Sequence, residues 1–524
     1  MAGLLEIDNL TLSREKTGDP VVKSVSFSMQ AGEIVGIVGE SGSGKTMVAR
    51  SILRLVPPGL KQASGSIVVN GRNIADLLTR ELRSVRGGVV GMIFQEPMTS
   101  LNPSMKIGRQ LEEGLRLHRQ YPRNERHRRI VDMLSRVGIR NPEAALDSYP
   151  HQFSGGMRQR IMIASTMLLE PQLLIADEPT TALDAIVQKD VLELMIGLAR
   201  AKNTAILIVS HDLAMISRYT DRTIVMAQGA IVEAGPTSET MGNPTHPYTR
   251  KLLASIPRRA PARIEDGLKP LIEVKGLAVD YPTAERMAWK AASKRVVDNI
   301  ELNVYPGEVV AVVGESGSGK TTIGKAITGL LQPSAGVLLF EGMPVQRRSA
   351  AYQAYRRNCQ MVFQDPYSSL DPRMSIGALV SEPLRLVSGL GAAERRERML
   401  SMLNEVGLAA EFAERLPHQL SGGQRQRVAI ARALIGDPKF IVADEPVSAL
   451  DVTIRAQVLD LFNRLQQRHG FSCLFISHDL DVVEAIADRV YIMRAGGIVE
   501  CGKTHAIFTS PSHDYTRQLL ASRS

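Results

Sequence analysis

Two stretches of this chain, GESGSGKT at Gly39 to Thr46 and the same eight letters at Gly314 to Thr321, fit the spacing G-x-x-x-x-G-K-[ST]. Glycines at Gly39, Gly42 and Gly44, and again at Gly314, Gly317 and Gly319, let backbone N–H groups close around phosphate oxygens, with Ser41 and Ser316 in the same loops. Lys45 and Lys320 can reach the outer phosphates, and Thr46 and Thr321 can ligate magnesium. Each loop follows an apolar β-branched run, IVGIV or VVAVV, and precedes a segment of helical character such as MVARSILRLV. A helix start adds a favourable dipole to the phosphate site. One such match could be a chance glycine-rich turn; two in the same context could not.

Further along, Asp177-Glu178 and Asp444-Glu445 each close an apolar run, LLIAD or FIVAD. In a parallel sheet that position is the carboxyl edge, beside the phosphate loop. The aspartates there can hold magnesium, and the glutamates can orient or deprotonate a water attacking a terminal phosphate. An Asp-Glu pair by itself is more often a solvated turn. The strand before it and the loop upstream favour the chemical reading.

These elements belong to a repeat. IFQEPMTSLNP and VFQDPYSSLDP, FSGGMRQR and LSGGQRQR, and IVSHDL and FISHDL also recur in one order. Ser154 and Ser421, Glu178 and Glu445, and His211 and His478 keep one spacing of 267 (421 − 154), whereas the two lysines are 275 apart (320 − 45). The change of length is confined to the early loops. A repeat this long is a duplicated domain: residues 1–257, a proline-rich charged linker at 258–270, and residues 271–524. Alternating apolar residues in LLEIDNLTLSR and LIEVKGLAVDY predict antiparallel strands, and the β-branched runs predict buried parallel ones. The expected fold class is α/β, with helices packed on a mostly parallel sheet in each copy.

Composition fits two globular domains, with 44% hydrophobic and 22% charged residues in 524. No apolar run is long enough to span a bilayer, and the start, MAGLLEIDNL, lacks the basic residues of a signal peptide, so a cytosolic chain is expected. Three scattered cysteines, Cys359, Cys473 and Cys501, suit neither a disulfide framework nor a C-x-x-C site. The net charge of +9 is dispersed. Its densest run, Arg116 to Arg129, reads as a solvated helix or loop, or as a patch for lipid or nucleic acid.

The order of phosphate loop, glutamine loop, SGG signature, Asp-Glu strand end and histidine resembles the ABC ATPase family, with two P-loop nucleotide-binding domains, each carrying an antiparallel β region and a helical subdomain. By that resemblance ATP and Mg2+ are the cofactors. Gln95 and Gln364 touch magnesium and sense a membrane partner, and Asp177 and Asp444, with Thr46 and Thr321, complete the metal shell. Ser154, Gly155 and Gly156, with Ser421, Gly422 and Gly423, clamp nucleotide held by the opposite domain, and His211 and His478 contact the γ-phosphate. A serine and two glycines opening a helix are themselves a phosphate-ready terminus. Both copies keep the full set, so two hydrolytic sites are expected.

The copies differ where such domains stack adenine. Tyr281 occupies that position in the second copy and Arg14 in the first; arginine can stack through its guanidinium plane, and Tyr281 could instead be strand packing. The endings NPTHPYTRKLL and SPSHDYTRQLL resemble the C-terminal extension of oligopeptide, dipeptide and nickel importer ATPases, the second departing with Asp514 for proline. The fused arrangement resembles the type found with peptide, glutathione or microcin-like substrates. It implies two transmembrane permease subunits, an extracytoplasmic solute-binding protein behind them, and a peripheral place on the cytoplasmic face of the bacterial inner membrane. No nucleic acid is expected. The alternative is a soluble tandem ATPase acting on ribosomes or nucleic acid, although the chain has neither a long charged helical linker nor zinc cysteines.

Overall fold

The computed structural model describes residues 3–94, 100–180, 185–253, 267–287, 290–347, 349–387, 389–448 and 450–523. The chain divides into two compact units, Met1–Ala254 and Ser255–Arg523, built to one plan.

In the first unit the strand Ile34–Val38 runs parallel to Ala205–Val209 on one side and to Arg222–Ala227 on the other. Leu173–Asp177 and then Val90–Ile93 extend the parallel sheet beyond Ala205–Val209; Ala230–Pro236 closes the opposite edge antiparallel to Arg222–Ala227. Sheets of this kind are covered on both faces, which explains the unbroken apolar runs. Period-two alternation then sorts each strand between two cores. Val35 and Ile37 pack with Leu5, Leu10 and Val48. Ile34 and Val38 pack on the other face, with Leu111, Leu134 and Ile161 from three helices.

A second, antiparallel sheet places Leu5–Arg14 between Pro20–Met29 and Leu60–Val69. The helical region is amphipathic: Ile107–His118 buries Ile107, Leu111 and Leu115, one every fourth residue. The basic run Arg116 to Arg129 falls on the end of this helix and the start of Arg123–Arg136. Much of its charge is paired within the chain, Arg126 with Glu112, and Arg128 and Arg129 with Glu125.

The second unit repeats the plan. Val309–Gly314 lies between Ser472–Ile476 and Arg489–Arg494, Phe440–Asp444 and Cys359–Val362 follow in parallel, and Gly497–Lys503 is the antiparallel edge. Its antiparallel sheet sets Ile272–Met287 between Lys290–Val304 and Ala335–Phe340. The α/β class expected from the sequence, with two mostly parallel sheets and separate antiparallel regions, is the observed one. Cys359 and Cys473 are buried, Cys501 is exposed, and all three are free thiols. Among the described residues no helix is long and apolar enough to cross a membrane.

Parallel strands end on one side of the sheet. The loops after Ile34–Val38, Leu173–Asp177 and Ala205–Val209 therefore emerge together, and these carry the glycine-rich loop, the Asp-Glu pair and the histidine.

Candidate functional site

The loop after Ile34–Val38 turns into the helix Lys45–Ser51 through Gly44, whose φ of 96° is left-handed, and the loop after Val309–Gly314 enters Lys320–Ile327 through Gly319 at φ 103°. A residue with a Cβ would be strained there. Lys45 and Lys320 are buried, each 6% exposed, and fold back into their own loops. Lys45 Nζ donates to the carbonyls of Gly39 at 2.7 Å and Glu40 at 2.8 Å; Lys320 Nζ donates to those of Gly314 at 2.8 Å and Glu315 at 2.7 Å. Each loop thus carries a buried cation at its centre, as phosphate binding requires.

The threonine after each lysine reaches the adjoining strand end. Thr46 Oγ1 donates to Asp177 Oδ1 at 3.0 Å, and Thr321 Oγ1 to Asp444 Oδ1 at 3.0 Å. Burial raises the pKa of both aspartates despite these hydrogen bonds. Asp177 Oδ2 is buried without a hydrogen bond, with Arg50 Nε 3.9 Å away. A dry carboxylate beside a hydroxyl, with an unused oxygen, suits one edge of a Mg2+ shell. Among the described residues no three His, Cys, Asp or Glu side chains form a ready cation cage. A metal here would draw its remaining ligands from phosphate and water.

Glu178 and Glu445, one step past the strand, take φ of 49° and 45°. Left-handed backbone is uncommon for glutamate and costs of order 1–3 kcal/mol where it is enforced. It is enforced here by a hydrogen bond to the neighbouring strand, Glu178 N to Val209 O at 2.8 Å and Glu445 N to Ile476 O at 2.9 Å. The turn brings each carboxylate to the histidine beyond that strand: His211 Nδ1 is 3.2 Å from Glu178 Oε1, and His478 Nδ1 is 3.2 Å from Glu445 Oε2. In the second unit Gln364 Nε2 also donates to Glu445 Oε2 at 2.9 Å. Burial pushes the Glu445 carboxyl up, but hydrogen bonding and charge from His478, helped by Lys320 and Gln364, outweigh it and leave the pKa below its ordinary value. Glu445 is therefore an anion held by donors on two sides. Its counterpart to Gln364, Gln95, lies outside the described residues.

Sequence reasoning missed the residues that hold the histidine loop. Ser210 Oγ accepts from Asp212 N at 2.9 Å, and Gln188 Nε2 donates to Asp212 Oδ2 at 3.0 Å. In the second unit Ser477 Oγ accepts from Asp479 N at 3.0 Å, and Arg455 takes the place of Gln188 as donor to Asp479. The recurring tripeptide Ser-His-Asp was the available signal.

The signature residues open helices of their own. Ser154 and Ser421 are N-caps of Gly155–Met167 and Gly422–Leu434, accepting from Met157 N at 3.3 Å and Gln424 N at 3.4 Å. Gln424 also accepts from Ser421 N at 3.0 Å, completing a capping box that Met157 cannot form. A Cβ on Gly156 would sit 2.5 Å from Val187 Cγ1, and one on Gly423 2.4 Å from Ile454 Cγ2, so neither site admits a side chain as packed.

Arg14 and Tyr281 are structural counterparts. Each lies two residues beyond an antiparallel pair, Leu12 with Val22 or Val279 with Val297, and Val22 and Val297 pack against the helix-entry glycines Gly44 and Gly319. Tyr281 is half-buried against the sheet core, while Arg14 is exposed.

Comparison with known proteins gives the following. The family model for "ABC transporter" matches residues 22–181 and 297–448, and that for "Oligopeptide/dipeptide transporter, C-terminal region" matches residues 232–273 and 499–523. The chain is 45% identical to the peptidoglycan transport ATP-binding protein YejF of Agrobacterium fabrum, across 99% of this chain and 96% of that one. It is 44% identical to the ABC transporter ATP-binding protein YejF of Escherichia coli, across 99% of both. It is 41% identical to the glutathione import ATP-binding protein GsiA of Salmonella choleraesuis, across 99% of this chain and 89% of that one.

Proposed function

The chain belongs to the ABC transporter family of ATPases, in the group with an oligopeptide/dipeptide C-terminal region, and on that premise we propose that it powers import of peptides or peptide-bonded solutes through two membrane permease subunits. The observation that carries the catalytic part of this reading is the duplicated pair of Glu178 with His211 and Glu445 with His478, each beside a lysine-centred loop. Relatives named for peptidoglycan and glutathione transport support the substrate class, since both solutes contain peptide linkages.

In the proposed cycle each ATP lies on one phosphate loop, its outer phosphates neutralised by Lys45 or Lys320 and its adenine beside Arg14 or Tyr281. Ser154, Gly155 and Gly156, or Ser421, Gly422 and Gly423, complete the site from the other copy in the ATP-closed state. Glu178 and Glu445 hold the attacking water and take its proton, a role worth about 10²- to 10⁴-fold in rate. His211 and His478 fix those carboxylates and contact the γ-phosphate. Mg2+, held by Asp177 and Thr46 or Asp444 and Thr321, with Gln95 and Gln364 beside it, would neutralise charge on the transferred phosphoryl group. Phosphoryl transfer asks little more of a protein than this positioning and charge balance.

Hydrolysis does mechanical work if the closed form binds ATP more tightly than the open one, so that product release reopens it. A cleft of about 870 Å3 in the second unit, lined by Tyr352, Arg356, Glu382, Arg385, Arg432 and Phe363, the residue before Gln364, supports docking of a membrane partner's helix there. A peripheral position on the cytoplasmic face of the inner membrane follows from that partnership. Affinity capture of the tagged chain from detergent-solubilised membranes tests the assignment. Two hydrophobic permease subunits are expected to co-elute; ribosomes or nucleic acid in their place would overturn it.

A further inference from the structure

The tail of each unit reaches back to its own phosphate loop. Tyr248 Oη accepts a hydrogen bond from the backbone N–H of Glu40 at 3.0 Å, and Tyr515 Oη accepts one from the N–H of Glu315 at 3.1 Å. Both glutamates are the second residue of GESGSGKT. The N–H belongs to the same peptide unit whose carbonyl, Gly39 O or Gly314 O, accepts from the lysine Nζ at 2.7 or 2.8 Å. One peptide plane is therefore pinned at both ends, by a lysine inside the loop and a tyrosine outside it. The residue before this plane is a glycine in both copies, so no Cβ restricts the plane and outside contacts set its orientation.

The tyrosine is itself held. Glu233, on the edge strand Ala230–Pro236, accepts from Thr245 N at 2.8 Å, Thr245 Oγ1 at 2.8 Å and His246 N at 3.2 Å, and His246 Nδ1 then accepts from Tyr248 N at 3.2 Å. Glu500 does the same with Ser512 N at 2.7 Å, Ser512 Oγ at 2.7 Å and His513 N at 3.2 Å, and His513 Nδ1 accepts from Tyr515 N at 3.0 Å. The arrangement survives the change from Pro247 to Asp514. A rigid chain of contacts thus runs from an edge carboxylate through a histidine to a hydroxyl on the phosphate loop.

We propose that Tyr248 and Tyr515 are positioning residues of the nucleotide sites, orienting the Gly39–Glu40 and Gly314–Glu315 peptides so that Lys45 and Lys320 are set for phosphate. The proposal rests on the loops binding ATP. A peptide held in the same orientation before and during reaction contributes uniform binding, which appears in KM and not in kcat.

The test is the double variant Tyr248→Phe/Tyr515→Phe in the full chain, which keeps both rings and removes only the acceptor oxygens. Equilibrium binding of a fluorescent ATP analogue and steady-state ATPase kinetics are measured beside the unaltered chain. Loss of a hydrogen bond of ordinary strength is expected to raise Kd and KM about fivefold, with kcat changed less than about twofold. Glu233→Gln/Glu500→Gln, which loosens the anchor but leaves the hydroxyls, is expected to move KM in the same direction by less. Unchanged Kd and KM in the tyrosine variant overturn the proposal, as does a fall in kcat at constant KM, or a fall in Tm at constant KM, which assigns the tyrosines to packing alone. Failure of the unaltered chain to bind ATP would instead overturn the reading on which the proposal stands.

Discussion

His478 Nδ1 stands 3.2 Å from Glu445 Oε2, and 267 positions earlier (478 − 211) His211 Nδ1 stands 3.2 Å from Glu178 Oε1. The two copies differ in many side chains yet keep this distance. Glutamate at a left-handed turn has few ways to aim its carboxylate, and the imidazole selects one of them. His211→Ala and His478→Ala together should lower kcat by about a hundredfold, within the range for groups that arrange proton transfer. ATP affinity should fall by no more than about tenfold, the worth of one contact to the γ-phosphate, because the phosphate loops keep the remaining contacts. Phosphate-release kinetics and nucleotide binding on one preparation check both statements.

Lys45 and Lys320 each hydrogen-bond to carbonyls of their own loop. Lys45→Ala alone should remove one nucleotide per chain and leave the other, and Lys320→Ala should mirror it. Titration calorimetry in Mg-free buffer reads the stoichiometry as two, one and one. A value of two in either single variant would show that the lysine does not hold the phosphates.

The two loops also carry a contrast between glycines. A Cβ at Gly314 would lie 2.1 Å from Met493 O, a backbone atom that cannot swing away, whereas nothing lies within 4 Å of one at Gly317. Gly314→Ala should cost about 1–3 kcal/mol through overpacking. Gly317→Ala, at φ of 81° in open space, should cost about 1–2 kcal/mol through its left-handed backbone alone. Chemical denaturation should rank Gly314→Ala below Gly317→Ala in midpoint.

Acid should loosen the tails. Burial raises the Glu233 and Glu500 carboxyls, but hydroxyl and backbone donors of the tail outweigh it and hold both at about 2. A folded pKa below the unfolded one gives a contribution present in full above about pH 4.5 and lost as pH falls towards 2. Glu233→Gln/Glu500→Gln should therefore lower Tm near pH 7 and lose most of that difference near pH 2. These sites are screened by water, so the loss per unit is about 1 kcal/mol, or about 2–4 °C for units of this size. A Tm difference that does not narrow on acidification would contradict the tail anchors.

Much of the site could be read from the letters because its parts are local. A glycine-rich turn between a β-branched run and a helix, or a carboxylate pair at the end of such a run, specifies its own backbone and hence its place at the sheet edge. Relations between distant segments were not legible. Tyr248 meets Glu40 across 208 positions, and Tyr515 meets Glu315 across 200. The tail motif was visible as a resemblance, but its hydroxyl's target depends on how the edge strand docks. The left-handed φ of Glu178 and Glu445 was hidden for a similar reason, since the neighbouring strand imposes it. The exchange of Gln188 for Arg455 opposite Asp212 and Asp479 has no local signature either. The basic run from Arg116 was ambiguous in sequence because its partners Glu112 and Glu125 become neighbours only on helices.

In the proposed mechanism Glu178 and Glu445 activate water for ATP hydrolysis at two loops that bind ATP independently of them. The direct measurement is the ATPase rate and ATP affinity of Glu178→Gln/Glu445→Gln, an exchange that keeps shape and one acceptor oxygen and removes the base. A fall in kcat of at least about 10²-fold is expected, with two ATP still bound per chain. Turnover at the unaltered rate in the double variant would contradict it.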